Sequence, residues 1–257
     1  MTTFYDVIKK VVQQIADARI GVSTDGSTTT LVDTNLDAPN DYYNKGIILL
    51  DQPIPTVRKV TDWDSTTFTF TFPSISNAIV AGVNYSVVNE RFPLDVLKMA
   101  VNHALIDDIG LIMGIDETLT GIADVERYAL LDGVYDVRRV EIGEEDEDWK
   151  VNYQWIEELG ELRFLGNKPE DGKTIRLHYA HTHEELIDLD DEIDPQIPID
   201  LIVHAACVYC LQWRLIHVRE NEPGLPDKLS FHESRAMMAR SRNKVRLLNR
   251  DPILARF

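Results

Sequence analysis

Residues 67–72 read Thr-Phe-Thr-Phe-Thr-Phe, a strict alternation suited to an extended strand. Successive side chains of a strand point to opposite faces, so Phe68, Phe70 and Phe72 are expected on one face and Thr67, Thr69 and Thr71 on the other. A helix would scatter the same rings around its axis. The surrounding residues, 23–88, are rich in Thr, Val, Ile, Tyr and Phe, with turn residues at short intervals. TTTLVDT, KGIILLD, TVRKVTDWD, TFTFTF and YSVV are predicted strands, with Pro39, Pro53, Pro55 and Pro73 at loop ends between them. Five short strands at this spacing point to a small β-barrel or sandwich.

Other periodicities flank this region. Phe4, Val7, Ile8, Val11, Val12 and Ile15 recur at i, i+3, i+4 and predict an amphipathic helix over 3–18, capped by Thr2 or Thr3 and stopped near Gly21. Pro93 suits a first helical turn, and Leu94, Leu97, Val101, Ala104, Leu105 and Ile112 extend a helical stripe as far as Gly114. Residues 117–180 return to strand character in ETLTGI, ERYALL, VYDVRRVEI, KVNYQWI, ELRFLG and KTIRLHYA. The last four are expected to form a meander turning at Gly160 and Asp171-Gly172. The stretch EIGEEDED (141–148) reads as a loop too charged to be buried. After Pro198, the apolar segment IPIDLIVHAACVYCLQWRLIHV predicts a central buried helix, and a second long helix is expected from about Pro226 to Leu248. Pro252 stops that helix, leaving the last residues extended. The expected class is α+β.

Charge is distributed unevenly. The chain carries a formal charge of −17, yet residues 228–257 hold eight basic against two acidic side chains, a net of +6, which leaves −23 on residues 1–227. So acidic a body repels nucleic acid instead of gripping it. A helix complementing its own dipole would explain a basic C-terminus, and so would an arm that docks on a partner.

Chemistry is sparse. There is no GxSxG, P-loop, GxGxxG or HExxH pattern. His181 and His183, followed by Glu184, Asp188, Asp190 and Asp191, form the most metal-like cluster, but they read better as a strand end running into a solvated acidic linker. Cys207 and Cys210 have CxxC spacing, with His204 nearby, but they sit in an apolar helical pattern without a second CxxC and are expected to be inert thiols. No catalytic residue, cofactor or metal is expected. No stretch approaches the ~18 uninterrupted apolar residues of a membrane span, and the N-terminus lacks a signal-peptide core. Cytoplasmic synthesis and no membrane partner are expected.

The order of the parts carries a resemblance. STTTLVDTNLDAPNDYYNKGIILLD, then VRKVTDWDSTTFTFTFPS, then NYSVV running into a helix after Phe92-Pro93, resembles the inserted β domain of virion proteins from tailed bacteriophages. YALLDGVYDVRRVEI, ELRFLGNKPEDGKTIRLHYAHTH and IPIDLIVHAACVYCLQWRL are similar to head-to-tail connector (adaptor) proteins of those phages. The resemblance implies a helical connector core with long C-terminal helices, made of residues 1–22 and 89–257, and an inserted β-barrel-like domain over 23–88. It implies a structural protein of the virion neck, not an enzyme. Such proteins form a ring, commonly of twelve copies, between the portal protein and a tail or stopper (nozzle) protein, with DNA passing through the lumen unbound. A C-terminal arm reaching into the portal would fall here on Arg246, Leu247, Leu248, Asn249, Arg250, Pro252, Ile253, Leu254, Arg256 and Phe257. Two other readings remain: a tail-tube, terminator or baseplate component, and a carbohydrate-binding or hydrolytic tail protein using Trp63, Tyr42 and Tyr43 as an aromatic face.

Overall fold

The computed structural model of the chain describes residues 1–16, 18–144, 148–217 and 223–242. They fall into two units, residues 1–109 with 184–242 and residues 110–183.

The first unit begins with helix α1 (Phe4–Ile15), five of whose twelve residues are β-branched. Each such residue costs up to ~0.7 kcal/mol of helix propensity, whereas burying each contributes ~1.5–3 kcal/mol. Burial wins, because Phe4, Val7, Ile8, Val11, Val12 and Ile15 are all withdrawn from solvent. The N-terminus is closed by a capping box between Thr3 and Asp6. Two further free N–H groups are satisfied by the acidic linker: Phe4 N–H donates to Asp191 O and Tyr5 N–H to Leu189 O, both at 2.9 Å. The helix stops at Ile15, before Gly21.

Eight strands follow: β1 (Arg19–Val22), β2 (Asp25–Gly26), β3 (Thr30–Val32), β4 (Ile47–Leu50), β5 (Thr56–Lys59), β6 (Asp62–Asp64), β7 (Thr69–Thr71) and β8 (Asn84–Val88). They make two antiparallel sheets, ordered β1-β8-β4-β5 and β2-β3-β7-β6. Leu31, Ile48, Trp63, Phe70 and Tyr85 from both sheets meet Tyr43 from the turn before β4 in one core, with the Trp63 and Phe70 rings 4.3 Å apart. Gly21 lies in β1, where a Cβ would come within 2.6 Å of Asp33 Oδ2 and Tyr85 Oη. Only a bare backbone leaves room for the hydrogen bond from Tyr85 to Asp33 (2.7 Å) beneath it. Phe70 and Phe72 are buried as the alternation requires, but Phe68 belongs to the turn before β7, with φ 53°.

Helix α2 (Leu94–His103) passes into a π-helical turn, Ala104–Ile109, and Gly110 ends it with φ 74°. The helical stripe therefore stops short of its predicted end, and Ile112 and Gly114 lie in a strand.

The second unit contains β9 (Leu111–Thr120), β10 (Arg127–Ala129), β11 (Val137–Gly143), β12 (Lys150–Asn152), β13 (Trp155–Glu158), β14 (Glu161–Phe164) and β15 (Thr174–Thr182). Its antiparallel sheets run β12-β11-β15-β9 and β10-β14-β13. The expected meander is corrected, because β15 returns beside β11, and the segment KVNYQWI is cut in two. At the cut, Asn152 Oδ1 accepts the Gln154 N–H at 2.8 Å and Asn152 Nδ2 donates to Asn167 O at 2.9 Å, which turns the chain out of one sheet and into the other.

Helices α3 (Ile199–His217) and α4 (Leu225–Arg242) belong to the first unit, where α3 packs on α1, α2 and α4. With a mean hydropathy of 1.4, α3 is long and apolar enough by composition to cross a bilayer, but half of that window is buried against its neighbours. The expected fold class, α+β around a helical connector core, is corrected. Among the described residues, fifteen strands in four antiparallel sheets predominate over four α-helices. The helical period after Pro93 ends at Gly110, which redirects the backbone into the ten-residue strand β9.

Candidate interaction site

On α4, Lys228, Phe231, His232 and Arg235 recur at i, i+3, i+4 and i+7 and so share one face. With Gln14 from the last turn of α1, His204 from the second turn of α3 and Asp227, they line an open pocket of about 660 Å³. His232 is buried, and its Nδ1 lies 3.1 Å from Nδ1 of His204. Such a bond needs one protonated and one bare nitrogen, so one ring is the Nδ1–H tautomer and the other the Nε2–H tautomer. Burial lowers the pKa of both rings, and His232, pressed further by His204 and Lys228, falls to about 4. For His204, Asp200 opposes that fall and Arg235 adds to it. The pair is therefore neutral at pH 7, and the charged groups lining the pocket are Lys228, Arg235 and Asp227, which together leave it positive. The Arg235 guanidinium stands 5.3 Å from the centre of the Phe231 ring. Neither cation has an ion-pair partner among the described residues. The arrangement offers two cations, an aromatic face and an imidazole N–H, which together suit a carboxylate carried beside an apolar group.

A second cluster lies in the other unit. Glu141, where the predicted strand VYDVRRVEI overlaps the charged stretch 141–148 expected to be exposed, is a β11 residue only 8% exposed. Its carboxylate is reached by Arg139 Nη2 at 3.0 Å, Arg176 Nη1 at 3.6 Å and His178 Nε2 at 3.1 Å. Arg176 also pairs with Glu117 and stacks 3.5 Å from the centre of Trp149. Two guanidinium groups offset the desolvation that the loop reading treated as prohibitive. With its oxygens committed to these partners, the cluster is a cross-strand clamp.

The other sequence candidates are dispersed. His181 lies near the end of β15, its Nδ1 2.9 Å from Thr182 O, and His183 just beyond the strand is buried. Among the described residues, no group of three or more His, Cys, Asp or Glu converges to hold a metal ion. Cys207 and Cys210 are free thiols buried in α3, with pKa values pushed up by burial. Trp63 and Tyr43 lie in the core, which leaves Tyr42 without the aromatic face that carbohydrate binding would use. The expected docking arm, residues 246–257, lies outside the described residues. The sequence reading missed His232 and the pocket. The spacing of Lys228, Phe231, His232 and Arg235 was the available signal.

The helical surface of the first unit carries a further feature. Met99 of α2, Ile216 of α3, and Phe231, Met237 and Met238 of α4 are at least half exposed, Ile216 reaching 77%. Compared with known protein families and with curated proteins, the sequence matches none.

Proposed function

We propose that this chain is a structural assembly protein of a tailed-phage virion. In this reading it forms an oligomeric ring in the neck, joins the portal to a tail or stopper protein, and continues the DNA channel. The observation that carries the reading is the number of exposed Met, Ile and Phe side chains on α2, α3 and α4 in a chain of charge −17. Such a strongly charged protein is kept apart from non-specific partners, while apolar side chains left in solvent favour contact with a matching surface. Repeated around a ring, the contact closes without catalysis. The acidity also supports a passive channel, since no phosphate is neutralised and DNA slides without being held. The resemblance in the order of sequence segments points the same way, and the basic arm of residues 246–257 is the segment assigned to the portal.

A second reading, a tail-tube, terminator or baseplate component, is favoured by the predominance of antiparallel sheet. Electron microscopy of the purified chain with portal protein, with and without residues 246–257, tests both. The neck reading expects an axial ring on the portal that is lost on truncation. Stacked tubes, or no association with portal, would overturn it.

A further inference from the structure

The pocket between α1, α3 and α4 is built for an acidic segment, and the chain carries one at the other end of α1. The linker that caps α1 exposes Glu185, Ile187, Asp188 and Asp190, with Ile187 71% exposed. None of these three acids has an ion-pair partner among the described residues. The linker is held beside Tyr5 by the Leu189 carbonyl, by the Asp191 carboxylate accepting the Ile187 and Asp188 N–H groups at 2.7 and 2.9 Å, and by the hydrogen bond between Lys98 and Ile187 O. The pocket begins at Gln14, nine residues further along the same helix, which is ~14 Å at the helical rise.

Resting on the ring reading above, we infer that the acidic linker of one copy docks in the His204–His232 pocket of the next. Charge complementarity selects this occupant. In a chain with 43 acidic and 26 basic side chains, Lys228 and Arg235 are cations without an ion-pair partner among the described residues; they outnumber the one carboxylate lining the pocket, Asp227, and flank an exposed phenyl ring. The linker supplies matching groups: carboxylates of Glu185 and Asp188 for the two cations, and Ile187 between them for Phe231. Placement supports it as well. Donor and acceptor are different patches at opposite ends of one helix, so copies related by a rotation other than a two-fold repeat the contact head to tail and close a ring, as the ring reading requires.

Two charge-reversed full-length chains test this by native mass spectrometry over a concentration series, with circular dichroism to establish that each is folded. One carries Lys228→Glu with Arg235→Glu, the other Glu185→Lys with Asp188→Lys. Each alone is expected to need at least ~10-fold more protein than the wild type for half-assembly. Mixed in equal amounts they should regain wild-type assembly, since every junction then joins either the two native patches or the two reversed ones. If the wild type assembles and each variant assembles as well as it does, the docking is wrong and the ring reading stands. Folded variants that fail singly and also fail when mixed would likewise overturn the docking, since the two patches then do not meet. A wild type that stays monomeric, with or without portal, overturns the ring reading and this inference with it.

Discussion

His204 of α3 and His232 of α4 face each other with their Nδ1 atoms 3.1 Å apart, a bond that survives only while at least one of those nitrogens is bare. Protonation of both rings would set two cations against each other within a pocket that already holds Lys228 and Arg235.

That relationship makes stability dependent on pH. The pKa of His232 is lowered from 6.5 to about 4, chiefly by burial, so the unfolded chain binds more protons than the folded one in that interval. The contribution is complete above pH 6.5 and is lost as pH falls toward 4, by at most about 1.4 kcal/mol for each pKa unit. Urea midpoints measured from pH 4 to 8 should fall across that window. The fall should be shallower in His232→Gln, and identical slopes in the two proteins would remove His232 as its source.

Glu141 sits between Arg139, Arg176 and His178, so Glu141→Gln leaves two guanidinium groups without their shared anion. The expected cost is about 1–3 kcal/mol in chemical denaturation. Glu117→Gln, at the more exposed end of the same ladder, should cost under about 1 kcal/mol. Equal effects would mean that Glu141 is not the centre of the clamp.

Trp63 is fully buried against Tyr43 and Phe70, so Trp63→Ala should destabilise the first unit by about 3–5 kcal/mol. Tyr42→Ala, at an exposed ring that packs on Tyr43, should cost far less, under about 1 kcal/mol. Thermal denaturation of the two variants separates a core tryptophan from a ligand-binding one.

Cys207 and Cys210 are buried in α3 with their thiol pKa values raised. Labelling at pH 8 should reach less than about a tenth of the thiols in native protein over the time that labels all of them in urea, because the thiolate is the reactive form. Rapid native labelling would place them at an accessible surface.

Much of the local structure was legible along the chain. The period of α1 appears in Phe4, Val7, Ile8, Val11 and Ile15, and the buried rings of Phe70 and Phe72 follow from their alternation with Thr. Legibility failed where one residue redirects the backbone. Gly110 turns a helical pattern into β9, Asn152 diverts one apparent strand into two sheets, and Phe68 leaves the alternation for a turn. The strand through Glu141 is legible in VYDVRRVEI, but its burial is not, because the guanidinium groups that offset its charge come from β15 as well as from its own strand.

The same division holds for the candidate site. Periodicity and charge are properties of neighbours in sequence, so the chain by itself determined its amphipathic helix, its alternating strand, its inert cysteines in an apolar helix and the imbalance between an acidic body and a basic end. Only the tertiary structure decided that His204 meets His232, 28 residues away, beside two cations that carry no ion pair among the described residues. That meeting depends on how α3 and α4 cross, and helix crossing is set by side chains interlocking across the interface, a geometry that no single segment encodes.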